Sequence, residues 1–504
     1  MNTIRIFIPA LLSLIIVSLT IGGQTVSDKN IVLLPSKNDP TVSFKIWFKV
    51  GWQDDPAGKE GLANITAQLM TDGATEKLSY EQILDKLYPL AAGYSASSSM
   101  EMTVIEGRTH KDNLAEYYPL FIDAILHPAF KQEDLDRIKS QTLNYLENSL
   151  RYSSDEELGK AVLYSDVYAG TSYGHTGAGT VEAMKSITVD DVKNFYKKYF
   201  TANNLIIGLG GGYNDNLLTN LKTDLAALPP AFVTPVAKPE PKPIDGFNMT
   251  IVEKDAPATA ISMGFPIDVL RGTNDWYALA IAISWLGEHR NSSSHLYQVI
   301  REVRGLNYGD YAYIENFPNG GRRQLPPQNV CRRSQMFEIW IRPVPNETRH
   351  FTLRAALREF DKLVNNGMTQ EQFDLTRKFL RNYVLHYAPT TEEKLAYALD
   401  DMFYGIRGEG HLKIFRDMMN ALYLKDVNEA IRKHWQTANM QIAVITNDAK
   451  IFKDALVSDA PSPIAYKTPK PESVLAEDKE ISTFPLKFKP ENIKIVPVTD
   501  LFAK

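Results

Sequence analysis

"VDDVKNFYKKYFTANNLIIGLGG", Val189 to Gly211, decides the fold, because its plan occurs twice in the chain. It is an amphipathic helix that ends in the triplet Thr-Ala-Asn and runs into an apolar, β-rich strand. "KDVNEAIRKHWQTANMQIAVITN", Lys425 to Asn447, repeats that plan. Thr201-Ala202-Asn203 returns as Thr437-Ala438-Asn439, an offset of roughly 236 residues and far longer than a solenoid period. A shared triplet means little alone. At the same helix-to-strand junction it predicts a duplication.

Working outward, the two halves are divided by "LPPAFVTPVAKPEPKPIDGF", Leu228 to Phe247, whose prolines exclude helix and central strand and favour an extended linker. The first half opens on "TVSFKIWFKVG" (Thr41 to Gly51), alternating as a half-buried strand does. The turn "DDPAGKEG" then leads into a helix. In the second half "TAISMGFPI" (Thr259 to Ile267) plays the strand and "DWYALAIAISWLGEH" (Asp275 to His289) the helix. "MFEIWIRPV" (Met336 to Val344) reads as a further strand, and Thr348 to Gly367 as a long helix closed by glycine. Thr369 and Gln372 then have capping-box spacing. The expectation is an α+β protein of two domains, 30–227 and 248–460, each an antiparallel-leaning sheet covered by helices on one side, with a C-terminal tail at 461–504.

The chain has 504 residues, too many for one core, and its 44% hydrophobic and 23% charged content argues against extensive disorder. A net charge of -5 gives no reason to invoke nucleic acid or an anionic membrane. Cys331, the lone cysteine, excludes an intramolecular disulfide and a cysteine-cluster metal site. At the N-terminus, Arg5, the apolar run Ile6 to Ile21 and the pair Gly22-Gly23 read as a signal peptide over residues 1–24, with an uncleaved anchor as the alternative. The expectation is an exported protein of the bacterial periplasm.

The helix inside "GKEGLANITAQLMTDGATEKLS" (Gly58 to Ser79) spaces Leu62, Ile65, Leu69 and Met70 on one apolar face and carries no histidine. Elsewhere His110 sits in a polar turn, His127 precedes Pro128, and His175 lies in "SYGHTGAG". Glu288, His289 and His295 fall within one segment, yet no pair has the i, i+4 spacing of a helical zinc site. No metal is expected on this chain. Arg322, Arg323, Arg332 and Arg333 crowd the loop Phe317 to Gln335, read as a solvated surface loop rather than a chamber lining for acidic peptide. Cys331 within it reads as a buried small residue.

Four stretches carry a resemblance: "GWQDDPAGKEGLANITAQLMTDGAT", "GYSASSSMEMTVIEGRTHKDNL", "SITVDDVKNFYKKYFTANNLIIGLGG" and "SSSHLYQVIREVRGLNYGDYAYI". In their order and spacing the chain resembles the insulinase-pitrilysin (M16) zinc peptidases, in their bacterial two-domain branch, from about Asn30 to Val457. The resemblance implies two homologous domains of LuxS/MPP-like type. Active members carry H-x-x-E-H on the opening helix, two histidines for zinc and a glutamate that activates the bound water. Aligned through "GLA", those positions are Asn64, Ile65, Thr66, Ala67 and Gln68. Amides are poor zinc ligands beside imidazole, and the Ala67 methyl takes no proton. The third ligand falls near Leu143 to Glu147, where Glu147 reads first as a solvated carboxylate.

The second half keeps more. "LYQVIREVRGLNY" matches a family pattern that supplies an arginine-tyrosine pair to the zinc site, here Arg301 and Tyr308. Taken singly, they read as a helix-terminal surface cation and a strand aromatic. As a pair, the guanidinium suits a substrate carbonyl or carboxylate and the phenol an oxyanion. The resemblance therefore implies a non-catalytic partner subunit of a heterodimeric zinc metallopeptidase acting on peptides. Zinc would sit in the H-x-x-E-H partner, with peptide added as a strand at an edge such as "GYSASSSMEMTVIEG". The alternative is a structural or peptide-binding relative without a part in hydrolysis; a peptidase active by itself fits least.

Overall fold

The computed structural model describes residues 26–504, so the signal segment 1–24 lies outside the described residues. The first half builds a five-stranded sheet from β1 (Ile31–Pro35), β2 (Thr41–Phe48), β3 (Gly93–Ser98), β4 (Thr103–His110) and β5 (Leu205–Gly211), in the order β1-β5-β2-β4-β3. The second half uses β6 (Phe247–Glu253), β7 (Ala258–Ile267), β8 (Asp310–Tyr313), β9 (Gln335–Pro345), β10 (Met440–Thr446) and β11 (Ile493–Pro497), in the order β11-β6-β10-β7-β9-β8. Substituting β6 to β10 for β1 to β5 reproduces the first order, and in both sheets only the outer pairings, β1 with β5 and β6 with β10 and β11, are parallel. The duplication foreseen from the Thr-Ala-Asn triplet is thus a duplication of topology. β11, from the last stretch of chain, is the one strand without a counterpart.

The strands form where alternation places apolar residues on one face. Val42, Phe44, Ile46 and Phe48 of β2 are fully buried against Ile65 and Leu69 of the opening helix α1 (Leu62–Thr71) and Phe121 and Phe195 of later helices. Ser43, Lys45 and Trp47, on the opposite face, are buried too. That face was expected to lie open, and the correction comes from the other half of the chain. The helix Thr391–Tyr404 of the second half crosses β1, β2 and β5. Gly208 and Gly210 make room for it: a Cβ there would stand 3.4 and 3.5 Å from the Leu395 methyls.

The exchange is mutual. Helix Asp155–Val167 of the first half lies across β7, β9 and β10. Leu158, Val162 and Leu163 pack there with Val252, Ala260, Ala443 and Ile445. Gly159 comes so close that a Cβ would stand 2.9 Å from the Ser262 hydroxyl oxygen. Each sheet thus has its own helices on one face and a helix of the other half on the second. The extended segment from Pro229 to Gly246 joins the halves, anchored where Thr201 donates to the Ala231 carbonyl at 2.8 Å.

Candidate functional site

α1 begins after a crowded turn. At Gly51 a Cβ would collide with the Ser99 and Met100 carbonyls, 2.3 and 2.4 Å away, so glycine lets the β3–β4 connection close against the end of β2. Gly61, at φ 98°, turns the chain into the helix. The Asp55 carboxylate accepts from the Gly61 and Ala63 N–H groups, both at 2.7 Å, and caps the helix start. Burial pushes the Asp55 carboxyl well above its usual range, against the pull of those two bonds.

On α1 the positions that matter are Asn64, Ala67 and Gln68. Asn64 and Gln68 are half-buried, and Ala67 is buried. The Gln68 side-chain N–H donates to the Asn64 carbonyl oxygen at 3.4 Å, so the two amides one turn apart engage each other. An amide oxygen and a methyl do not make the donor set zinc needs, so this helix does not fit the metal. Among the described residues no group of three His, Cys, Asp or Glu side chains is placed to hold an ion. Glu147 lies in a π-helical stretch (Tyr145–Ser153), partly exposed, 3.7 Å from the Lys185 ammonium.

The histidines lie apart. His110 is exposed and accepts from the Asp112 N–H. His127 is exposed, and His175 sits 4.0 Å from Asp55, its ring pushed down in pKa by burial. His289 bonds the Tyr313 hydroxyl at 2.6 Å. His295 stacks on Trp285 and meets Glu359 at 2.7 Å.

Arg301 and Tyr308 do come together. Arg301 belongs to a second π-helical stretch, Tyr297–Glu302, a geometry frequent at functional sites. Gly305, at φ 71°, reverses the chain, and Asn307 ties the turn down through Asp310 and the Arg342 carbonyl. Tyr308 therefore precedes β8 and is 76% exposed, in a turn rather than packed in the sheet. The Arg301 guanidinium carbon lies 5.3 Å from the Tyr308 ring centre, and its Nε is buried without a partner. Beside a solvent-facing phenol, the terminal N–H groups of this guanidinium can hold an oxyanion or a carboxylate, whereas the buried Nε is closed to a ligand.

The arginine loop divides. Arg322 and Arg323 are exposed, as a solvated loop requires. Arg332 is fully buried against Glu338, and Arg333 donates to Glu101 and to the Val236 carbonyl. Reading the loop as solvated missed these two: Arg333's partners lie far off in sequence, and Arg332 pairs with Glu338 on the strand that follows the loop. Cys331 is buried, and burial raises its thiol well above the usual range. β3, an outer strand of its sheet, has an alternating half-exposed face in the stretch read as a peptide edge.

Comparison with known proteins agrees with this geometry. Residues 31–181 match the insulinase (peptidase family M16) model and residues 186–380 the peptidase M16 inactive domain model. A Helicobacter pylori protein named non-peptidase homolog YmxG is 24% identical over 412 residues, 80% of this chain and 88% of that protein. An uncharacterized zinc protease of Streptomyces coelicolor is 22% identical over 67% of this chain and 70% of its own length. The crystal structure of a peptidase M16 inactive domain from Pseudomonas fluorescens superposes with a TM-score of 0.71 at 21% identity, covering 83% of this chain and 95% of that one. A Helicobacter pylori protease structure gives 0.70 at 16% identity, covering 82% and 96%.

Proposed function

Because the chain belongs to the M16, insulinase-type peptidase family, we propose that it is the non-catalytic subunit of a two-chain zinc peptidase acting on peptides. The observation that carries the reading is a contrast between the halves. Where the family's zinc helix stands, Asn64 and Gln68 bond one another and Ala67 replaces the base. In the second half the Arg301 guanidinium lies against the ring of Tyr308, and Tyr308 faces solvent.

In this reading the partner subunit carries H-x-x-E-H and zinc, and supplies the activated water. Arg301 holds a substrate carbonyl or carboxylate through its fork of donors, and the Tyr308 hydroxyl donates to the oxyanion that forms on attack. Export to an extracytoplasmic space, on the N-terminal apolar segment, belongs to the same proposal.

A second reading, a structural or peptide-binding protein with no part in hydrolysis, is favoured by the Helicobacter pylori relative, which is itself named a non-peptidase homolog. One experiment separates the two. This chain, an H-x-x-E-H protein from the same genome, and their mixture are assayed for zinc and for cleavage of unstructured peptides. The first reading expects cleavage by the mixture that falls about a hundredfold with Arg301→Ala or Tyr308→Phe, the range seen for loss of an oxyanion donor. Activity indifferent to this chain or to both substitutions favours the second.

A further inference from the structure

The helix Asn274–Gly287 follows β7 as α1 follows β2, and β8 is the counterpart of β3. In the second half these two elements bound a cavity of about 100 Å³. It occupies the place that, in the first half, belongs to the space between α1 and β3. Trp276, Phe317, Tyr387 and Phe415 give it aromatic walls.

Two polar groups in those walls stand out, an indole N–H without a partner and a carboxyl without a cation. Trp276 is 7% exposed and its indole N–H is buried without a hydrogen-bond partner. Glu288 also lines the cavity, and no ion pair reaches it among the described residues. Burial is the main reason its carboxyl is pushed up to about 7; the Ser284 hydroxyl and a backbone N–H only partly oppose it. The one cation in the walls, Arg271, is already held by Glu315 at 2.8 Å and Asp400 at 3.2 Å. His289 and His411 are kept neutral by burial. In the walls Arg271 and Glu315 offset one another, which leaves Glu288 as the carboxyl without a cation. Aromatic faces add their own attraction for a cation.

We propose that this cavity is a binding site for a compact organic amine, its ammonium on Glu288 and its apolar body among the aromatic rings. A hydrogen-bond acceptor on that body would meet the Trp276 N–H. The site belongs to this chain alone and is independent of any shared zinc site.

The test uses the full chain and three probes of one shape and different charge: benzylamine, benzyl alcohol and benzoate. Calorimetry near pH 8, above the range in which Glu288 holds its proton, should give benzylamine a Kd below about 1 mM, ordinary for so few atoms. Benzyl alcohol should bind at least about tenfold more weakly, the equivalent of one charge-assisted hydrogen bond, and benzoate not measurably. Glu288→Gln should remove the preference for the amine and leave benzyl alcohol unchanged. Ala280→Phe, which fills the cavity, should abolish all binding. Equal binding of the amine and the alcohol by the wild-type chain, a result that needs no variant to fold, overturns the proposal. So does amine affinity that survives Ala280→Phe.

Discussion

The Arg333 Nε donates to the Glu101 carboxylate at 2.5 Å, and the Arg333 backbone N–H reaches the same group at 2.7 Å, so one residue of the second half closes a carboxylate of the first. The Tyr173 hydroxyl donates into that carboxylate as well. Glu101 is buried, and Arg333 keeps a third of its side chain in solvent. Removing one partner of a fully buried pair costs ~3–5 kcal/mol, and the exposure of Arg333 lowers that. Arg333→Ala should therefore lower unfolding free energy by about 2 kcal/mol in urea titration. A loss under about 0.5 kcal/mol, the surface range, would mean that the clamp is ornamental.

The amide pair on α1 makes a prediction about zinc. The wild-type chain should carry no stoichiometric metal after dialysis, measured by elemental analysis. Asn64→His with Gln68→His puts two imidazoles four residues apart on one helical face, which should produce weak zinc binding by calorimetry. Peptide cleavage should remain absent, because Ala67 still offers no base. Cleavage by the double variant would show that another group activates water.

Tyr308 and Arg301 should separate function from folding. Tyr308 is 76% exposed, so Tyr308→Phe should change stability by less than about 0.5 kcal/mol. A large drop in melting temperature would assign the tyrosine a packing role and weaken the shared-site reading.

Glu359 predicts an acid limb. Burial alone would raise its carboxyl, but the His295 bond at 2.7 Å and Lys362 at 3.1 Å outweigh burial and bring it down to about 2 from an ordinary 4.5. Above pH 4.5 both folded and unfolded chains are ionised there, and the stabilisation is complete while the His295 imidazole carries its charge. As pH falls towards 2 the unfolded chain takes up the proton first, and the stabilisation, at most about 3 kcal/mol, is lost. Glu359→Gln should thus be less stable than wild type near pH 5 and converge on it in strong acid, followed by circular dichroism. A gap independent of pH would refute the assignment.

The glycines under Leu395 predict how the halves unfold. Gly210→Val inserts a side chain where a Cβ already meets the Thr391 methyl at 3.1 Å and Leu395 at 3.5 Å. Overpacking costs ~1–3 kcal/mol, and here it should lower the melting of both halves in one calorimetric transition. Two resolved transitions, with only the first shifted, would deny the coupling.

The strands and their boundaries were legible because burial imposes local alternation. Thr259 to Ile267 differs from β7 by one residue at its start, and Met336 to Val344 differs from β9 by one residue at each end. The Thr369–Gln372 capping box forms in both directions, since both partners lie within one turn. Asn64, Ala67 and Gln68 share the helix Leu62–Thr71 that the apolar spacing of Leu62, Ile65 and Leu69 predicts. The exchange of helices was not legible, because Gly208 and Gly210 look like ordinary strand weakness until Leu395 is placed over them. The pairing of Arg333 escaped for the same reason, with Glu101 more than two hundred residues away. A trace was available in the second case: four arginines around a cysteine that was itself read as buried.

Because each half roofs the other's sheet, a clamshell motion between them would have to strip Leu395 from Gly210 and Leu158 from Ala260 in one stroke. Hinge closure needs a seam that parts at small cost, and no such seam runs between these halves. Packing of this kind ties the two halves to one another. In the two-chain reading proposed above, entry and exit of peptide would then come from movement between the chains rather than within this one.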